Sequence, residues 1–218
     1  MIVLFGSARS NFGSPQKGDQ SGKEVSTQEF YLPSCGYWLG FKPKNNLLGV
    51  NIARQMLDAC GNNNIGYSQP YRITAREAYF RYGSIKGIKE LCTCDCSSLV
   101  NLCCLASGIS LPNFNTASEP QVLRKSGLFD EVKVTKPEHC TTGMILVTPT
   151  KGHTVIVVTG LETKTETNTT GKKSNEVIVK EIIAGKWGNG NARKSKLTKA
   201  GYDYETIRAM VNKELNKK

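Results

Sequence analysis

The chain has 218 residues, 29 Lys and Arg against 18 Asp and Glu, a formal net charge of +11 and a pI near 9.3. That length fits one medium domain with a small companion, and 39% hydrophobic with 22% charged residues suits a folded core rather than a disordered chain. No apolar run reaches the ~20 residues of a helical membrane span, and the basic excess points to a polyanionic partner, leaving nucleic acid and an anionic Gram-positive wall both open.

In chain order, residues 1–5 form an apolar, strand-sized start. It has no basic flank and is too short for a signal peptide, so the chain is expected to stay in the cytoplasm where it is made. Residues 36–41 are a second, aromatic strand. Residues 47–60 carry Val50, Ile52, Met56 and Leu57 at helical spacing, and Gly61 with the three asparagines after it ends that helix. Residues 74–82 are a second helix. Residues 95–106 are a third, with Asp95 as N-cap, and residues 117–126 are a fourth. Strands follow at 144–147 and 153–158. Helices grouped before strands, with strand material at the front, predict an α+β fold rather than alternating βαβ units.

Residues 161–175 are rich in Thr and Lys and nearly free of apolar side chains, which reads as a linker. The expected organisation is therefore a domain over 1–160, a linker over 161–175 and a small module over 176–218. Three short helices are expected in that module, at 177–185, 189–200 and 204–215, the last capped by Asp203.

The eight cysteines are expected to be reduced thiols in the cytoplasm. Cys92, Cys94 and Cys96 alternate, but no C-x-x-C pair or histidine cluster accompanies them, so neither a metal nor another cofactor is expected. Cys103 and Cys104, inside the third helix, read as core. Cys96 would lie in that helix's first turn, where free backbone N–H groups and the helix dipole favour a thiolate. His153 stands after Gly152 at the start of a strong strand, a rigid mount for a base. Taken singly, a cysteine is usually core and a histidine before a strand is usually surface. D-C-S-S-L-V on a helix start, followed by G-H-T and an apolar run, is a much rarer pair.

That pair resembles the papain-like cell-wall hydrolases: the NlpC-type peptidases, the CHAP amidases and the related phage peptidoglycan amidases. The resemblance covers about residues 47–160. It implies Cys96 as nucleophile, His153 as base, and Tyr67, in a stretch similar to the family's G-x-x-Y region, lining the substrate cleft. In these families a third polar residue on the strand after the His orients the imidazole. Here one strand follows His153 and the linker begins. The chain is therefore expected to resemble a circular permutation, with residues 1–45 supplying the strands that usually follow. The third residue would then be Asp19 or Glu24, with Asp19 preferred.

The stretch W-G-N-G at 187–190, with Arg193 and A-G-Y-D at 200–203, resembles the three-helix wall-binding repeat of certain phage lysozymes. The resemblance implies muropeptide binding, with Arg193, Asn189, Tyr202 and Trp187 as candidates; Trp187 reads equally as core. A DNA-binding three-helix domain is the competing reading of the Lys-rich second helix.

Together these features predict a phage endolysin with a cysteine-dependent amidase or endopeptidase domain. Its expected partner is Gram-positive peptidoglycan, as a monomer, with no nucleic acid and no stable membrane association. It is expected to wait in the host cytoplasm until lysis and then act at the wall. The alternatives are a non-enzymatic wall-binding protein with a degenerate papain-like domain, and a basic nucleic-acid-binding protein.

Overall fold

The computed structural model describes residues 2–10, 23–150, 152–159 and 175–215. It divides into two compact units, Met1–Glu162 and Thr163–Lys218.

The first unit is built on a six-stranded sheet in which every neighbouring pair is antiparallel. Its strands are β1 (Leu4–Ala8), β2 (Val25–Glu29), β3 (Trp38–Pro43), β6 (Phe129–Val134), β7 (Ile145–Val147) and β8 (Thr154–Val157). They lie in the order β2-β1-β8-β7-β3-β6. β4 (Ile65–Tyr67) and β5 (Cys92–Cys94) form a separate parallel pair. The helices are α1 (Asn46–Cys60), α2 (Thr74–Tyr82), α3 (Cys96–Ala106) and α4 (Glu119–Ser126).

The sheet is apolar on both faces, and the two-residue period of a strand sorts the side chains. Ile156 and Val158 point into the larger cluster, with Ile52 and Met56 of α1 and Leu99 and Cys103 of α3. Phe5, Trp38, Val155 and Val157 point into a second cluster on the opposite face. Glycine sets how closely α1 approaches. A Cβ at Gly6 would lie 2.3 Å from Met56 Cγ, so the bare backbone of β1 is what lets α1 seat on the sheet. Gly143, at φ 76°, meets the backbone of Gly49 so closely that neither a side chain nor another conformation fits.

The expected helices form close to the positions read from periodicity. The strands differ more. The first strand lies at Leu4–Ala8 rather than 1–5, and the aromatic one runs on to Pro43. β2, β4, β5 and β6 were not anticipated. β2 and β6 are the sheet's edge strands, with sequences VSTQE and FDEVKV. An edge strand half covered by solvent carries too few apolar residues to stand out.

The second unit comprises α5 (Asn175–Ile183), α6 (Gly190–Lys199) and α7 (Tyr204–Leu215). Ile178, Ile182, Leu197, Ile207 and Val211 form its core, with Trp187 packed against them. Among the described residues, no helix is long and apolar enough to cross a membrane.

Candidate active site

Asp95 builds the entrance to α3. Its Oδ1 accepts the Ser98 backbone N–H at 2.7 Å, and Ser98 Oγ accepts the Asp95 N–H at 2.8 Å, a reciprocal capping box. The cap fixes Cys96 as the first residue of α3, buried at 7% exposure. The backbones of Ser97 and of Thr154, the residue after His153, lie close enough to act on the Cys96 thiol. Two segments 57 positions apart in the chain are thus brought together at the sulfur.

His153 is fixed through its backbone. Its N–H donates to Thr148 Oγ1 at 3.1 Å, and its carbonyl accepts the Thr148 N–H at 3.0 Å. The residue is half-buried. The β1–β8 pairing sets Phe5 against Val157 and Gly6 against Ile156. Arg9 is among the charges that act on the imidazole. Its guanidinium is held by Ser26 Oγ at 2.9 Å and Ser7 Oγ at 3.3 Å.

Burial dominates the electrostatics. It pushes the Cys96 thiol up to about 12, with the charges of Asp95 and Glu119 adding to the rise and the two backbone groups opposing it. Burial, helped by Arg9, pushes His153 down to about 4. The helix start was expected to favour a thiolate; here loss of water outweighs it, and burial favours the neutral thiol and the neutral imidazole.

Tyr67 lies on β4 in register with Cys94, two residues before the nucleophile candidate, and is buried. Its hydroxyl accepts from Gln69 Nε2 at 3.2 Å and is close enough to feel Cys96 and Asp95. Asp19 lies outside the described residues. Glu24 is fully buried next to β2, where its carbonyl accepts the Arg9 N–H at 2.8 Å and its Oε2 accepts the Lys23 N–H at 2.9 Å. Among the described residues no side chain is hydrogen-bonded to the His153 ring, and no group of His, Cys, Asp and Glu is arranged to hold a metal ion.

Several residues here had no sequence signal. Arg72 pairs with Asp95, Nε to Oδ2 at 2.9 Å, and donates to Ser97 Oγ at 2.9 Å and to the Phe114 carbonyl. A cleft beside it is lined by Arg72, Ile73, Asn113, Phe114, Asn115 and Ser118. Glu119, first residue of α4, is fully buried, and its Oε1 accepts from Thr154 Oγ1 at 2.9 Å. In the sequence, S-E-P reads as an ordinary exposed helix start; nothing local shows that this carboxyl turns inward.

In the second unit Trp187 is partly core. It meets Tyr202 edge-on, with centroids 6.0 Å apart, and donates from Nε1 to Glu181 Oε2 at 2.9 Å. Tyr202 is itself buried. Asn189 is the N-cap of α6, and its Oδ1 accepts from Arg193 Nη2 at 2.6 Å. Arg193 also donates from Nε to the Gly188 carbonyl at 2.8 Å. Arg193 and Arg208 line a cleft with Tyr204 and Asn212.

Residues 9–164 match the family described as an endolysin-like domain, and residues 176–215 match the CW_7 repeat. Neither the curated proteins nor the solved structures include a match to this chain.

Proposed function

The chain belongs to the endolysin-like domain family and carries a CW_7 cell-wall repeat, and from that membership we propose that it hydrolyses an amide bond of Gram-positive peptidoglycan by cysteine–histidine catalysis. The observation that carries this reading is the approach of the Thr154 backbone to Cys96, close enough to act on its thiol, which sets the residue beside His153 near a cysteine on the first turn of a capped helix.

The chemistry begins from neutral groups. His153 takes the thiol proton as Cys96 Sγ attacks the amide carbonyl, so no standing thiolate is needed. The backbone N–H of Cys96 is the donor to the developing oxyanion. The amine leaves with the proton held by His153, and a thioester to Cys96 remains. His153 then deprotonates water, which cleaves the thioester and restores the thiol. Tyr67 lines the substrate side. The scissile bond is the muramoyl–L-alanine amide or one within the stem peptide.

The fold reading is a circularly permuted papain-like domain. Its support is strand order: β8, which follows His153, is flanked by β1 and then β2 from the front of the chain. The domain occupies residues 1–160, followed by a linker over 161–175 and a wall-binding module over 176–218. In that module Arg193 and Arg208, which line one cleft, suit the carboxylates of stem peptides. Trp187 and Tyr202 support that surface from within.

The test is mass spectrometry of soluble products from purified Gram-positive peptidoglycan, with Cys96→Ala alongside. Free stem peptides from the intact protein alone identify an amidase, and fragments cut within the peptide identify an endopeptidase. No product from either protein removes the catalytic reading and leaves a wall-binding protein.

A further inference from the structure

The turn into α4 grips the polypeptide on both sides of His153. Before it, the Gly152 N–H donates to Thr116 Oγ1 at 3.2 Å. After it, Thr154 Oγ1 donates to Glu119 Oε1 at 2.9 Å. Thr154 is itself fully buried, and its backbone lies close enough to Cys96 to act on the thiol. On one side β8 is held by β7, where Thr154 pairs with Val147. On the other side the β1 pairing is set by Val157 and Ile156, further along the strand. Glu119 therefore anchors the strand end at the point where it meets the sulfur.

The carboxyl is costly where it stands. It is fully buried, and among the described residues its Oε2 has no hydrogen-bond partner. An unsatisfied buried polar atom typically costs ~1–3 kcal/mol, and an apolar side chain would fill the same space without that cost. Arg72, whose charge acts on it, is already paired with Asp95. The fold alone gives no reason for an acid here; the contact with Thr154 does.

We propose that Glu119 is a positioning residue of the cysteine–histidine centre, holding Thr154 so that its backbone stays on the Cys96 sulfur and His153 stays beside it. The proposal rests on the catalytic reading above. Glu119 touches neither the sulfur nor the substrate; it acts through Thr154. Burial pushes its carboxyl well above the ordinary value, which favours the neutral form, and it is the ionised form that opposes negative charge on Cys96.

The experiment compares Glu119→Gln, Glu119→Ala, Thr154→Val and the Glu119→Ala/Thr154→Val double variant in the full chain. Two quantities are read: kcat and KM on peptidoglycan, and the rate of Cys96 alkylation by iodoacetamide at pH 8, resolved by mass spectrometry of that peptide. Glu119→Ala and Thr154→Val should each lower kcat at least tenfold with KM within about twofold. The double variant should be no worse than either single one. Glu119→Gln, which keeps an acceptor for Thr154, should retain kcat within about threefold. Alkylation should slow at least fivefold in Glu119→Ala and stay near the wild-type rate in Glu119→Gln. Full kcat in Glu119→Ala, multiplying losses in the double variant, or unchanged or faster alkylation in Glu119→Ala overturns the positioning role. An intact protein that releases no product, while alkylation still follows the expected order, overturns the hydrolase reading and with it Glu119's place in catalysis; the Glu119–Thr154–Cys96 linkage itself then stands on the alkylation result.

Discussion

Arg72 and Asp95 are joined by an ion pair, Nε to Oδ2 at 2.9 Å, at the helix start that carries Cys96. Both side chains are shielded, at 27% and 11% exposure, so the pair is worth more than a surface contact, and breaking it strands a carboxylate in a dry place. Arg72→Met should destabilise the first unit by roughly 2–4 kcal/mol, since it also releases Ser97 and the Phe114 carbonyl. Urea unfolding followed by Trp38 fluorescence measures this; an unchanged midpoint would mean the pair contributes nothing net.

The imidazole of His153 is pushed down to about 4 by burial and by Arg9. A general base works only when neutral, so kcat/KM should hold level from pH 7 to about 5 and fall below about 4. An acid limb near the ordinary histidine value would show that this environment does not persist with substrate bound. Stability should follow the same group. The unfolded histidine protonates first, so the contribution is whole above about 6.5 and is lost as pH falls towards 4, by at most about 3 kcal/mol. His153→Gln should flatten that part of the pH–stability curve.

Asp95→Asn tests the charge beside the thiol. Asparagine caps a helix about as well as aspartate, but it removes a negative neighbour that raises Cys96. Cys96 should then alkylate faster at pH 8, by ~3-fold, while the chain loses part of the Arg72 contact. A slower reaction would mean that loosening of Arg72 outweighs the charge.

Burial pushes the Glu119 carboxyl well above its ordinary value. The folded chain therefore holds a proton that the unfolded chain has lost, and this costs stability as pH rises through the carboxylate range. Glu119→Gln removes the proton linkage. Its melting temperature relative to the parent should increase between pH 5 and pH 8, by up to ~1.4 kcal/mol of stability per pH unit while Glu119 remains neutral. Parallel curves for the two proteins would show the carboxyl to be ionised.

In the second unit, Trp187 bridges Tyr202 and Glu181 in a bundle with a small core. Trp187→Ala should cost ~3–5 kcal/mol and melt that unit below the first in calorimetry of the full chain. Arg193→Gln should melt near the parent temperature yet bind purified walls more weakly, ~10-fold. Equal wall binding by Arg193→Gln would move the contact elsewhere on the module.

Helices were legible because each carries its own evidence: the apolar spacing of Ile52 and Met56 in α1, and the Asp95 cap of α3, act within a few residues of chain. Cys96 and His153 could be singled out for the same reason, each lying in a short local pattern. Edge strands were not legible, since β2 and β6 exist only through the partners they border. The state of the site was not legible either. A helix start favours a thiolate by local rules, while burial is a property of everything packed around the sulfur, and burial won. Arg9 beside His153, Arg72 on Asp95 and Glu119 under Thr154 join segments far apart in the chain. The sequence by itself determined the helices, the capped start of α3 with Cys96 in its first turn, and the basic excess, because those depend on composition and on neighbours along the chain. Only the tertiary structure decided which charges face the sulfur and how dry it is, because desolvation and long-range contacts are set by neighbours in space.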